Sequence, residues 1–340
     1  YIHWPFCTAK CPYCDFNSHV RSNINQKQWL KAYLNEIKRV SEKTSNRILN
    51  SVFFGGGTPS LIEPSIIGDV LNEIQKHWKT KNNFEVTLEA NPGSVDAKNF
   101  KAYKEAGVNR TSMGIQSLNT KDLKALGRTH TVEEALAAFE IARQNFKAVS
   151  FDLIYARQNQ NISQWEKELS LALSLEASHM SLYQLTIEKG TAFGDRYNRG
   201  LLKGLPNDDT SADMYDLTLS LCEDRGLVSY EVSNYAHEGY ESIHNLIYWR
   251  YGDYIGIGPG AHGRLTIDGK KYATETVLSP EAWLKKVECD GSGESNSVVL
   301  TDQQQAAEFV MMGLRLKEGI NYQRFKNLSG SAFSKTKLNF

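Results

Sequence analysis

Surplus charge of either sign is missing from this 340-residue chain, in which Lys plus Arg and Asp plus Glu number 39 each. Without a basic excess it lacks the electrostatic footprint of a nucleic-acid-binding domain, and no nucleic-acid partner is expected. Long apolar runs are missing too: no stretch approaches a membrane-spanning helix, and no secretory h-region stands ahead of the first cysteines. Cysteine is scarce, five residues with three of them clustered, which is no disulfide framework. Together these absences point to a reducing compartment, with the cytoplasm as the expected location. The chain opens at Tyr1 and not at methionine, so native residues are expected ahead of it. With 41% hydrophobic residues it can bury a large core, as one large domain or a large one and a small one.

What is present is concentrated at the start. Cys7, Cys11 and Cys14 follow one another as Cys-x3-Cys-x2-Cys within the first nineteen residues. Three thiolates from one short loop can hold three irons of a [4Fe–4S] cluster and leave the fourth iron open to a small molecule. A redox Cys-x-x-Cys would explain only Cys11 and Cys14, and a structural zinc ion would need His3 or His19 as its fourth ligand.

The rest of the chain alternates strand and helix. Strands are expected at 1–3, 51–54, 84–90, 109–115, 148–155 and 179–186. Helices are expected at 26–42, 65–78, 95–106, 120–126 and 131–144, the last two with threonine caps, and at 162–175. Six strands each followed by helix imply parallel pairing with crossovers, in a doubly wound sheet or a (β/α) barrel. A helix at 208–225 and a strand at 227–233 come next. Residues 234–265, rich in glycine and aromatics, are expected as a loop over the barrel mouth. A small, mainly helical unit with a helix at 301–317 and a polar linker at 291–297 ends the chain. The expected division is 1–265 and 266–340.

Several strand ends carry groups suited to a ligand. Gly55-Gly56-Gly57-Thr58-Pro59 follows a buried strand, where a tight turn or close backbone approach is required and where a zwitterion could be cradled. Glu89 ends the third strand, and Asp152 sits inside an apolar one, where an unpaired carboxylate is costly. Later, His244 stands in His244-Asn245-Leu246-Ile247-Tyr248-Trp249. A histidine among aromatics is ordinarily a packed side chain, yet imidazole also binds haem iron and aromatics stack on porphyrins.

Cys7-x3-Cys11-x2-Cys14 with Tyr13 ahead of the last cysteine resembles the radical S-adenosylmethionine (SAM) signature. The flanking Tyr1-x-His3-x-Pro5-Phe6 and Cys14-Asp15-Phe16-Asn17 are similar to the branch that holds oxygen-independent coproporphyrinogen III dehydrogenase and the haem chaperone HemW. The resemblance implies an α/β fold, a partial (β/α)6 barrel with a small HemN-like C-terminal domain. It implies a [4Fe–4S] cluster on Cys7, Cys11 and Cys14, and SAM beside Gly56, Gly57, Thr58, Glu89, Gln116, Arg128 and Asp152, with Tyr13 at the adenine and Tyr1 close by. His-Asn-x-x-Tyr-Trp resembles a haem-associated motif, which makes His244 the expected haem residue and His262, in the loop 256–263, the next candidate. No catalytic residue is assigned.

Two departures matter. Ala156-Arg157-Gln158-Asn159-Gln160 replaces a turn of the Gly-Leu-Pro-Gly kind, and Phe16 stands where the dehydrogenase continues to a fourth cysteine. The second, with His244, favours a haem chaperone over an oxygen-independent coproporphyrinogen III oxidase that uses a 5′-deoxyadenosyl radical. Haem and haem-accepting proteins such as respiratory enzymes are the implied partners, and peripheral membrane association and a homodimer are compatible with them.

Overall fold

The computed structural model describes residues 1–44, 46–94 and 97–331. Six strands, β1 (Ile2–Trp4), β2 (Ile48–Gly56), β3 (Lys79–Ala90), β4 (Arg110–Gln116), β5 (Ala148–Tyr155) and β6 (His179–Gln184), pair side by side in chain order. Every pairing among them is parallel. Beyond β6 the sheet continues with Asn234–Ala236, antiparallel to it, and then Val228–Glu231, and it stays open as a partial barrel.

The sequence dictates this through a period of two. Along β4, Thr111, Met113 and Ile115 are almost fully buried, as are Val149, Phe151 and Leu153 on β5, and these faces join the core beneath the covering helices. The residues between them, Arg110, Ser112, Gly114 and Gln116 on β4 and Ser150 and Asp152 on β5, are polar or lack a side chain. Apolar packing therefore holds strand to helix, and the inner face is left for chemistry.

Helices Gln26–Thr44, Pro64–His77, Val132–Asn145 and Ile162–Leu173 return the chain between strands. Thr131 closes a capping box with Glu134, as expected of a threonine cap. Thr120 does not cap the shorter helix Thr120–Ala125: the side chain of Asn119 accepts from the Lys121 and Asp122 amides and takes that role. The expected start of the third helix at Val95 lies outside the described residues.

Three expectations for the later chain need correction. Residues 234–265 are not a loop over the mouth. Asn234–Ala236 is a sheet strand, and helix Ile243–Trp249, capped by Ser242, lies at the opposite end of the barrel. There the Ile243 and His244 amides donate to Glu85, and Arg110, the first residue of β4, donates to the Tyr240 carbonyl. The polar segment 291–297 is not a linker throughout, because Glu294–Val299 is the edge strand of an antiparallel sheet with His262–Ile267 and Lys270–Thr276. Its residues are largely exposed, so no apolar alternation marked it. Strand His262–Ile267 also runs across the expected boundary at 265/266.

Helices Pro280–Asp290, Asp302–Gly313 and Tyr322–Ser329 complete the C-terminal part, whose last expected residues, 332–340, lie outside the described ones. Trp283 stacks on Trp29 at 5.5 Å and so fastens this part to the first barrel helix. No described helix is long and apolar enough to cross a membrane.

Candidate functional site

At the carboxyl ends of the strands lies a cavity of about 500 Å³. Cys7, Cys11, Cys14 and Tyr13 border it from the first loop, Gly56, Gly57 and Thr58 from the end of β2, and Glu89, Gln116, Arg128 and Asp152 from later strands and turns. Of the residues expected to hold cofactors, eleven of thirteen converge here, and Tyr1 and His244 do not.

The glycines are required by backbone packing. A Cβ on Gly56, whose φ is +112°, would stand 2.5 Å from the His3 ring, and one on Gly57 would stand 2.6 Å from the Phe6 carbonyl oxygen. The amides of this turn are occupied within the protein: Gly56 donates to Glu89 (3.0 Å), Gly57 to Trp4 O (2.7 Å) and Thr58 to Phe6 O (2.8 Å). Close approach was the correct reason for three glycines, but the approaching group is the strand that leads into the cysteine loop. The amide donors expected for a ligand carboxylate are not open, and of the turn's carbonyls that of Thr58 already accepts from the Leu61 amide at 3.0 Å.

All three thiols are free, Cys7 buried and Cys11 and Cys14 partly exposed. Arg128 donates to Cys11 Sγ at 3.3 Å and to the Gly114 carbonyl at 2.7 Å, and it also bonds Asn91. Its Nε is buried without a partner. The histidines that could complete a zinc site are engaged elsewhere: His3 between Tyr1 Oη and Asn17 O, His19 on Asn17 Oδ1. Among the described residues no three His, Cys, Asp or Glu side chains form a closed single-ion cage. Three free thiols around one cavity, with no fourth protein ligand at hand, fit a cluster with one open iron.

The carboxylates are the other half of the site. Burial, then the charge of Asp152, pushes Glu89 up to about 8 against the opposing Gly56 amide. Burial likewise pushes Asp152 up to about 6, although the hydroxyls of Ser181 and Ser112 favour its charged form. Two acids held above their ordinary range in one cavity suit a cationic or polyhydroxyl ligand that would favour their ionised forms. Gln116 sits at φ +74°, a left-handed conformation uncommon for a side-chain-bearing residue and of the kind that collects at ligand sites.

Sequence reasoning passed over Ser112, whose hydroxyl lies 3.3 Å from Asp152, and Tyr183, which borders the same cavity. Both were within reach of the period-two rule, since Ser112 precedes Gly114 and Gln116 on one face and Tyr183 follows Ser181.

His244 lies towards the amino ends of the strands. Its ring stacks on Phe53 at 4.5 Å, meets Tyr248 edge-on at 4.8 Å and reaches Ser51 Oγ at 3.5 Å. Burial holds its pKa well below the usual value, so the imidazole is neutral. With Tyr1 it borders a second cavity of about 230 Å³, walled by Ile48, Trp78, Ile247 and Tyr254. The loop 256–263 packs along β1, with Ile257 bridged to Ile2, and His262 is exposed beside Glu275.

A family profile described as the Radical SAM superfamily matches residues 1–172, and one for the HemN C-terminal domain matches residues 300–337. The chain is 39% identical to the "Heme chaperone HemW" of Haemophilus influenzae over 99% of its own length and 87% of that protein's. It is also 39% identical to "Radical S-adenosyl methionine domain-containing protein 1, mitochondrial" of Danio rerio, over 98% of this chain and 76% of that one. Among solved structures, coproporphyrinogen III oxidase (HemN) from Escherichia coli superposes with a TM-score of 0.82 at 19% identity, covering 97% of this chain and 78% of that one, a likeness of fold.

Proposed function

Because the chain belongs to the radical SAM superfamily, we propose that it is a haem chaperone, one that holds SAM and a [4Fe–4S] cluster and delivers haem to haem-dependent proteins. The observation that carries this reading is Phe16. It borders the cavity and is 55% exposed, at the place where the dehydrogenase of the same branch would carry a further cysteine. The near full-length likeness to a protein named a haem chaperone agrees with it.

When bound, the cluster would supply electron transfer and one open iron position. The remaining work belongs to the chain. Cys7, Cys11 and Cys14 provide thiolates, and the carbonyls of Gly56 and Gly57 receive an ammonium. Glu89 and Asp152 present charge to the sulfonium and the ribose. Gln116 and Arg128 flank them, and Tyr13, packed beside Phe193 at 6.4 Å, closes the adenine side. For haem we assign His244, since a neutral imidazole can bind iron and it borders a mostly apolar cavity. Phe53 and Tyr248 enclose the ring, so this assignment requires the aromatic layer to part as haem enters. The acceptors would be respiratory haem proteins met from the cytoplasm, by peripheral contact with their membrane, with the chaperone alone or as a homodimer.

The test is anaerobic reconstitution followed by haem titration of the wild type and His244→Ala. Loss of haem binding in the variant, with iron content and SAM affinity intact, is the expected result. Full retention moves the ligand elsewhere, with exposed His262 next in line. Sustained decarboxylation of coproporphyrinogen III by the wild type would overturn the chaperone reading.

A further inference from the structure

The turn after β5 takes no part in the cofactor reading, yet it buries a cation beside the cavity. Arg157, with its side chain 4% exposed, pairs with Asp122 at 2.9 Å and with Glu168, and it donates to the Ile154 carbonyl. Glu168 also accepts from the Ser117 hydroxyl (2.6 Å) and the Leu118 amide (2.7 Å). One guanidinium thus joins the segment after β4, the segment after β5 and the helix Thr120–Ala125. The turn adopts left-handed backbone at two residues that are not glycine, Ala156 at φ +55° and Asn159 at φ +60°. Such backbone persists where surrounding contacts hold it, and the Asn159 amide bonded to Gly204 O and the Gln160 amide bonded to Arg157 O do so here.

What the strut holds lies just beyond Asp122. Gly127, at φ +70°, leaves no room for a Cβ, which would stand 2.6 Å from Pro12 Cδ in the middle of the cysteine loop. Arg128 follows and reaches Cys11 Sγ. Leu126 and Ile154 form a small core with Leu185, Phe193 and Leu202, against which Tyr13 packs, and the Phe193 amide donates to Pro12 O at 2.8 Å. Residues 126–128 are therefore the seat on which the cysteine loop rests, and Arg157 fixes that seat from behind.

We propose that Arg157 is a positioning residue for the cysteine loop and the SAM site, acting through Asp122, Gly127 and Arg128. The proposal rests on the SAM reading given above. Arg157→Met keeps the length of the side chain and removes its charge. In the reconstituted full chain it should raise the SAM dissociation constant about tenfold, as loss of an outer-shell support does. It should also weaken the SAM-induced change in the spectrum of the reduced cluster, with iron content unchanged. Arg157→Lys should recover most of the affinity. The control is Arg264→Met, which breaks the pair with Glu308 in the C-terminal part, neither residue bordering the cavity. Equal effects of Arg157→Met and Arg264→Met on SAM, or no effect of Arg157→Met, would overturn the proposal. Should Arg157→Met fail to fold, Asp122→Asn replaces it with the same expected direction. If the wild type shows no SAM response, the SAM reading itself fails. Protease protection of residues 7–14 in the ligand-free chain then decides for the strut, lost in Arg157→Met and kept in Arg264→Met if it stands.

Discussion

Buried polar side chains gather at both ends of the barrel, and the chain itself satisfies them to different degrees. At the amino end, His179 lies between Ser150 and Tyr230 and Glu85 receives the two amides that open helix Ile243–Trp249, while Asn50 Oδ1 beside the second cavity and Trp249 Nε1 are buried without a partner. At the carboxyl end, three cysteines without a disulfide border one cavity, Arg128 keeps a buried Nε without a partner, and Glu89 and Asp152 are held above the ordinary carboxylate range. Buried polarity that is fully paired is architecture, because an unmet group costs about 1–3 kcal/mol. Polarity left unpaired in a cavity marks the place where something else must bind. The contrast separates site from scaffold, and each variant below tests one side of it.

The largest effect is expected at the thiols. Changing Cys7, Cys11 or Cys14 to alanine should abolish the iron–sulfur chromophore after anaerobic reconstitution, because among the described residues no fourth side chain stands ready to substitute. Iron and sulfide analysis with the absorption spectrum measures it. A variant that keeps a full cluster would show that this end is not organised around the thiols.

Next comes the hairpin turn beside β6. Glu231→Ala removes the acceptor for the Ser233 amide and the Asn234 side chain as well as the partner of Arg315, and donors left unmet there cost about 1–3 kcal/mol each. Urea unfolding should show that loss, and because Asn234 also accepts from Ser181, whose hydroxyl favours ionised Asp152, the SAM affinity of the folded fraction should fall less than in Asp152→Asn. A selective loss of SAM affinity at full stability would show that Glu231 serves the site and not the fold.

How far the sequence reveals each end follows from the range of the contacts. The carboxyl end was legible because its residues sit in short local patterns: three cysteines within eight positions, glycines after a strand, and polar residues every second position along β4 and β5. The amino end was not. Helix Ile243–Trp249 has seven residues, too few for a helical period to declare itself, and its anchor on Glu85 lies 158 positions away. The edge strand Glu294–Val299 hid for another reason, since a strand exposed on both faces has no apolar alternation. Helix Pro280–Asp290 was overlooked although its signal was present, Ser279 as cap and Pro280 in the first turn.

Back in the cavity, a smaller effect is expected from the carboxylates. Asp152→Asn and Glu89→Gln should each weaken SAM binding by about ten- to a hundredfold, the loss of one charge-assisted contact of about 1.5–3 kcal/mol. Iron content should not change, since neither residue is a thiolate ligand. Isothermal titration on reconstituted protein separates the two readouts, and unchanged affinity in both variants would remove the carboxylates from the site.

The smallest effect concerns the stability of the ligand-free chain against pH, and it follows from the same two acids. Their folded-state pKa values, about 8 for Glu89 and about 6 for Asp152, lie above the ordinary values of 4.5 and 3.8. Between these limits the folded chain binds more protons than the unfolded one, so these groups make stability fall as pH rises, Asp152 from about pH 4 to 6 and Glu89 from about pH 4.5 to 8. Glu89→Gln cannot ionise and should flatten the upper part of that slope, making the ligand-free variant more stable than the wild type near pH 8 even as it loses SAM affinity. A cationic ligand reverses the sign: it favours the ionised acids, so SAM should bind more tightly and release protons as pH rises through the same window. Thermal melts from pH 5 to 9, with and without SAM, read both slopes. Parallel slopes for wild type and Glu89→Gln in the ligand-free state would mean that the Gly56 amide already satisfies this carboxylate, and that no ligand is needed to complete the carboxyl end at Glu89.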